Sequence, residues 1–449
     1  MQFDISSSDA LVGKTRLPGD LNLTLSVMAL GMLSPEPIKV HNPSPSPVVT
    51  EFRKFLKDNG AVFHDTCDGF CLKGTPWEGD LIIGPEVPDS VVHLIVGSAS
   101  FLARSVRIIN GVREKESLIR HLQDILKNVG LSPECVVADG EDILIRRAEF
   151  ISDNMISVSS AWTFEAICAA ALAVRMPLTL SYPPQTVSHS LKLLTLLGYR
   201  STMPDNMSVM DTEIARRLAK VSGSAPLKIQ RLEWTHSVKQ TIDIPGDTTL
   251  AAAIAGAGSI VQGSDVTLKD VLWEQGRRGF FEALHRMKGM IKHEQTYKKN
   301  SFDSAHITVR WSNLEGIHVT SDQALTFMTE LLILGAVAAS ANGETVISDG
   351  KEGLKHGRSG FSTLAKGLKM LGSYVGDFSD GIVINGGHEM RGDLVDSGGR
   401  ADIALALAVT GMNAAGTTTV FGFDGNAYPV REFIRIVKKF TSQTVLPDQ

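Results

Sequence analysis

Long apolar runs are missing from this chain of 449 residues. No stretch of about eighteen apolar residues is present to span a bilayer, and no membrane partner is expected. Only 6% of the residues are aromatic against 43% hydrophobic, so burial falls to aliphatic and small side chains. Cysteine is scarce, with four residues at 67, 71, 135 and 168, which fits a reducing cytoplasm. Cys67 and Cys71 flank Asp68-Gly69, a hairpin signal, and could face each other across two strands. No further Cys or His stands at zinc spacing, so ordinary strand positions are the plainer reading and no metal is expected. A charge excess is missing too. Lys plus Arg number 44 and Asp plus Glu 49, a net charge of −5, which supplies no field for nucleic acid or an anionic membrane. The opening MQFDISSSDALVGK carries acidic residues and no apolar core segment, which argues against a signal peptide and for a cytoplasmic location.

What the chain has in quantity is repetition. Six times an apolar helix rich in small residues runs into a short β-branched strand, a loop and an amphipathic helix. The first-type helices read as residues 21–33, 90–103, 161–173, 249–261, 326–340 and 401–416. IKVHN, VRIIN, LTLSY, VTLKD, TVISD and TTVFG are the strands. Residues 49–59, 116–129, 188–197, 279–290, 360–371 and 431–440 form the second-type helices. The repeat is too long for a solenoid, so each copy is a small α/β unit. Most copies continue into a hairpin with Asp-Gly at its tip (Asp68-Gly69, Asp139-Gly140, Asp380-Gly381), a pair that supplies positive φ for a type I′ turn. The unit is therefore β-α-β-α-β-β.

Helices apolar nearly all round belong in the middle of a domain, and the charged second-type helices outside. The length favours two domains. Each buried helix is preceded by a capping side chain: Asp20 and Asn22, Asp89 and Ser90, Ser159 and Ser160, Asp247 and Thr248, Ser321 and Asp322, Asp396 and Ser397. Plain N-capping accounts for any one of them. If the helices run the same way, however, their positive ends share a surface and make an anion site without a motif. A small anionic molecule is thus the expected partner, with no nucleic acid, no cofactor and a monomer as the default assembly.

Several segments also form a collinear series: Leu17-Pro18-Gly19, Gly97-Ser98-Ala99-Ser100-Phe101-Leu102-Ala103-Arg104, Ser159-Ser160, Ser181, Ile244-Pro245-Gly246-Asp247, Gly276-Arg277-Arg278-Gly279 and Asp396-Ser397. Through these, essentially the whole chain resembles the enolpyruvyl transferase family, above all its 5-enolpyruvylshikimate-3-phosphate synthase branch. The resemblance implies a two-domain inside-out α/β barrel with three repeats per domain. It also implies a discontinuous domain of residues 1–19 plus 246–449 around an inserted domain of 20–245, with substrates in the cleft between them at the helix N-termini.

Residue by residue, the resemblance places Leu21 and Ser26 where the family has a catalytic Lys and an Arg. Ser117 replaces another Arg, with Arg113 and Lys115 close by. The acid/base Asp falls on Thr329, with the neighbouring acid kept as Glu330. Lys355 is retained, His356 replaces a Glu, and Arg358 stands one position from the Arg that becomes Ser359. Asp-His-Arg becomes Arg400-Ala401-Asp402, and a C-terminal Lys falls on Asn426. Candidate catalytic residues are accordingly Glu330, His356 and Lys355. Candidate binding residues are Asp20, Asn22, Arg104, Ser159, Ser160, Ser181, Lys355, Arg358 and Arg400. Arg277 and Arg278 are expected on a solvated face, and His93 and His189 inside helices. Three functions follow: a diverged scaffold acting on a small phosphorylated or carboxylated metabolite, a working carboxyvinyltransferase with a rebuilt donor site, or a catalytically silent ligand- or partner-binding paralogue.

Overall fold

A computed structural model describes residues 2–7, 9–84, 86–109, 136–139, 142–146, 155–157, 161–175, 177–182, 190–202, 228–235, 241–274, 276–296, 302–324, 327–348, 360–378, 381–424 and 427–442. The fold is mixed α/β. The chain divides into two compact units, a first of Met1–Pro18, Pro245–Tyr297 and Asp303–Gln449, and a second of Gly19–Ile244 with Lys298–Phe302.

Among the described residues, six small sheets share one plan. In four of them the strand before a buried helix pairs in parallel with the strand after it, as Asp80–Ile83 does with Ser105–Ile108 around the helix Asp89–Leu102. The hairpin that follows adds two antiparallel strands, here Asp142–Arg146 and Val136–Asp139. The remaining two sheets exchange their first strands. Val12–Arg16 precedes the helix Leu21–Gly31 in sequence, yet pairs with Asp265–Leu272 of its own unit. Thr241–Asp243 correspondingly joins Ile38–His41. In the last repeat no hairpin closes the sheet; the strand Gln2–Ser6 pairs antiparallel with Thr417–Phe421 instead.

The buried helices owe their place to composition. Residues 250–260 of Thr248–Ile260, all of Leu331–Ala338 and residues 403–411 of Ala401–Gly411 are buried, and they carry no polar stripe to turn toward water. Pro47–Asp58, by contrast, buries one face through Val49, Phe52, Phe55 and Leu56 and leaves its charges outside. The second-type helix expected at 116–129 lies outside the described residues.

Three local expectations are corrected. The fifth buried helix does not run from 326 to 340. Met328–Glu330 form a 3-10 turn and the α-helix starts at Leu331, because Glu330 is drawn into side-chain bonds of its own. Hairpin 62–73 does not turn on Asp68-Gly69, since Thr66 pairs with Gly69 and leaves Cys67-Asp68 at the tip. Gly69 has no positive φ. A Cβ there would stand 1.9 Å from the Val40 carbonyl oxygen, so the glycine permits strand approach rather than the turn. Cys71 consequently faces His64 and Cys67 sits in the turn, and both thiols are free.

Candidate functional site

The N-terminal ends of the buried helices differ in how they are finished. Asp20 Oδ1 accepts the Leu23 N–H at 2.9 Å, and Asp247 Oδ1 accepts that of Leu250 at 2.8 Å. Both are true N-caps. Asp20 is nearly buried, and the backbone around it is held by Thr24 Oγ1, which donates to the Asp20 carbonyl at 2.7 Å. Asn22 stands half-buried in the first turn beside it. The sequence suggests side-chain capping at every buried helix, and this is corrected at three of them. The helices led by Pro88, Glu330 and Arg400 have no side-chain cap, because those positions are occupied by proline or by groups paired elsewhere.

In the first unit the chemistry gathers around Glu330. Its side chain is 0% exposed. Thr249, in the first turn of Thr248–Ile260, donates Oγ1 to Glu330 Oε1 at 2.7 Å. Arg277 Nη2 approaches the same oxygen at 3.3 Å. Oε2 is buried and accepts no hydrogen bond among the described residues. The carboxylate lies at the start of Leu331–Ala338, where a helix dipole favours negative charge. Arg277 departs from the solvated face that the sequence suggests; its side chain is only 15% exposed, because Glu330 supplies a buried partner. Arg278 keeps to the expectation and pairs with Glu282 one turn on, at 2.7 Å. Thr329, half-buried, carries no charge to match the family's acid/base Asp.

Arg400 leads the helix Ala401–Gly411. It holds Asp402 in a two-pronged pair, Nε to Oδ1 at 3.0 Å and Nη2 to Oδ2 at 2.6 Å. Those hydrogen bonds hold the guanidinium charged, above its ordinary range. Asp402 Oδ1 also accepts the Ile403 N–H at 2.9 Å. The one candidate cation described at a helix N-terminus here therefore has its charge answered inside the chain.

Arg104 is not at such an end. It follows the C-terminus of Asp89–Leu102, and its exposed guanidinium pairs with Asp80. A helix of fourteen residues is about 21 Å long, which sets Arg104 that far from the helix's positive pole. Gly97 and Ala99 of the same segment lie mid-helix. A Cβ on Gly97 would stand 2.3 Å from the Ala166 carbonyl oxygen of the neighbouring helix Ala161–Val174. Close helix packing thus calls for the Gly, and a surface ion pair engages the Arg. Ser181 lies in the strand Leu178–Tyr182, paired with Ser157 of Met155–Ser157. Ser159, Ser160, Arg113, Lys115, His189, Lys355, His356, Arg358 and Asn426 lie outside the described residues.

One ionisable pair escaped sequence reasoning. His93 Nε2 and Glu165 Oε2 meet at 2.6 Å between the two packed helices of the second unit. The pair belongs to the second turn of each helix. Its only sequence signal is a lone His and a lone Glu inside otherwise apolar helices. Burial, and then the Glu165 charge, push the nearby Cys168 thiol well above its ordinary range, and burial raises Tyr199, whose hydroxyl donates to the Ala171 carbonyl at 2.5 Å.

Repeated sheets over buried helices, with Asp-capped Pro-Gly entries at 18–20 and 245–247, define an enolpyruvyl-transferase-like α/β scaffold. The chain belongs to the EPSP synthase (3-phosphoshikimate 1-carboxyvinyltransferase) family, whose model matches residues 203–427. A 3-phosphoshikimate 1-carboxyvinyltransferase of a Synechococcus strain is 28% identical over 282 residues, 63% of this chain and 59% of that protein. The match thus spans less than two thirds of that relative. Its namesake in Alkaliphilus oremlandii is 24% identical over 98% of this chain and 100% of its own length. Among solved structures, an EPSP synthase from Acinetobacter baumannii superposes with a TM-score of 0.76 at 21% identity, covering 98% of each chain. Among the described residues no helix is long and apolar enough to cross a membrane.

Proposed function

We propose that this protein binds and acts on a small phosphorylated or carboxylated metabolite at the N-terminal ends of its buried helices, without gripping phosphoenolpyruvate as its family does. The observation that carries this reading is the Arg400–Asp402 pair. An acid stands where the resemblance puts an Arg, and it engages the adjacent cation through two hydrogen bonds.

Magnitudes support the reading. Leu21, Ser26, Ser117, Asp402 and Asn426 replace five family cations. A hydrogen bond to a charged group contributes about 1.5–3 kcal/mol, so the nominal loss is about 7–15 kcal/mol. Millimolar binding amounts to only about 4 kcal/mol. Donor chemistry also needs a positioned acid and base, whereas Glu330 is buried and serves Thr249 and Arg277. On this reading Glu330 is an anchor for the helix ends. The acceptor side keeps Ser159, Ser160, Ser181 and Lys355 in sequence, so an anionic metabolite is retained in preference to a cationic or apolar one.

Calorimetric titration with phosphoenolpyruvate and 3-phosphoshikimate, coupled to a phosphate-release assay, tests the proposal. No saturable donor binding at millimolar concentration is expected. Phosphate release dependent on both compounds would overturn it in favour of a working carboxyvinyltransferase. A thermal-shift panel of sugar phosphates, nucleotides and cyclic acids is expected to yield at least one stabilising ligand, since a hundredfold excess over Kd adds about 2.7 kcal/mol. Silence across the panel would favour a paralogue that binds a partner protein.

A further inference from the structure

We infer that the first unit carries a separate binding site for a small organic cation, of the diamine or polyamine class, at the C-terminal ends of its buried helices. A cavity of about 910 Å³ is found there, inside the size range of small-molecule sites. Its wall includes Ile260, Ser340 and Met412. Ile260 ends the helix Thr248–Ile260, Ser340 lies two residues past Leu331–Ala338, and Met412 is the C-cap of Ala401–Gly411. Three helices thus turn their carbonyl ends toward one space, at the pole opposite to Asp247, Glu330 and Arg400.

The sign of the charge selects the ligand. Each helix C-terminus carries a partial negative charge, up to about −0.5 where its carbonyls are unsatisfied, and here part of it is answered by chain N–H groups such as Ser340 on Val337 and Asn413 on Thr410. Proteins commonly offset this with Lys, Arg or His in the last turn. None of these three helices has one. The charged and titratable lining side chains are Asp9 and Glu389 with Arg391 and His388, so the sign is left to the helix ends. The neutral lining is rich in acceptors: Asn313, Asn342 and Asn413 all contribute to the wall. Asn413 Nδ2 donates to Ser340 Oγ at 3.1 Å, which ties two helix ends together and leaves its Oδ1 to accept from a ligand. Half-buried Trp311 adds an indole to the wall, a surface of the kind on which ammonium groups settle. A lone metal ion would fill little of this volume, and among the described residues no cluster of His, Cys, Asp and Glu is arranged to hold one. A flexible chain with an ammonium at each end matches both volume and charge. The site is independent of the anionic ligand proposed above, because it lies at the opposite ends of the same helices.

Isothermal titration of the full-length protein with spermidine at low salt is the test, with citrate as the anionic comparator. Saturable spermidine binding that weakens as salt rises is expected, with no citrate binding that spermidine displaces. Glu389 and Asn413 are exposed, so Glu389→Lys and Asn413→Leu are expected to fold, the second with a small loss of stability from the Ser340 contact. Each is expected to weaken spermidine by about tenfold or more, equivalent to about 1.4 kcal/mol. Absence of saturable binding at millimolar spermidine, preference for citrate, or unaltered affinity in both variants would each overturn the inference.

Discussion

Removing the Glu330 carboxylate is the sharpest single perturbation the structure offers. Glu330→Ala withdraws a buried anion from Arg277, leaves Thr249 Oγ1 without its acceptor and opens a void at the start of Leu331–Ala338. Losing one partner of a buried ion pair costs about 3–5 kcal/mol. In a unit of this size each kcal/mol moves Tm by about 2–4 °C, so a fall of about 6–20 °C is expected. Glu330→Gln keeps the volume and an acceptor for Thr249 but no charge for Arg277, and should lie between the two. The joint change Glu330→Met with Arg277→Met removes both charges together and should recover most of the loss. Urea and thermal denaturation, followed by calorimetry, supply the numbers. A loss below about 1 kcal/mol in Glu330→Ala, or a double variant no better than the single, would refute the anchoring role.

Three further outcomes follow from the same geometry. Asp20→Ala and Asp247→Ala should each cost about 1 kcal/mol through the lost N-cap, read as a shift in the urea midpoint at unchanged slope. Gly97→Ala should cost about 1–3 kcal/mol, since the new methyl group meets the Ala166 carbonyl and two packed helices must separate; a neutral result would mean that they are not in contact. Asp402→Ala removes both hydrogen bonds that Asp402 accepts from Arg400 together with one negative charge beside it, and should raise the affinity for inorganic phosphate, read by calorimetric titration; an unchanged or weaker affinity would refute it.

The buried helices were legible because their signal is local. In ADIALALAVTG or TTLAAAIAGAGSI every face is apolar or small, and such a segment has no solvated face to offer. Their ends were less legible. Asp20 and Asp247 cap as their identity suggests, while Glu330, an acid in a good capping position, leaves the cap for Arg277 and Thr249. At the candidate site the Arg400–Asp402 contact is the kind of pairing that closeness in sequence favours. Gly97 and Arg104 were ambiguous in the sequence because a Gly and an Arg at that spacing also arise from helix packing and from a surface ion pair, which is what they make here.

Composition and periodicity by themselves pointed to the mixed α/β class, to small-residue buried helices and, among the described residues, to amphipathic partners such as Pro47–Asp58, since each depends on side chains a few residues apart along one helix or strand. Tertiary structure alone decided which strand lies beside which. Val12–Arg16 finds its parallel neighbour in Asp265–Leu272, far along the chain, and nothing in its five residues names that partner. It also decided that His93 meets Glu165 and that Thr249 and Arg277 converge on Glu330. A charge carries no mark of its future partner. Which acid a buried base will meet is set by how helices pack, and that depends on the shape of the whole core.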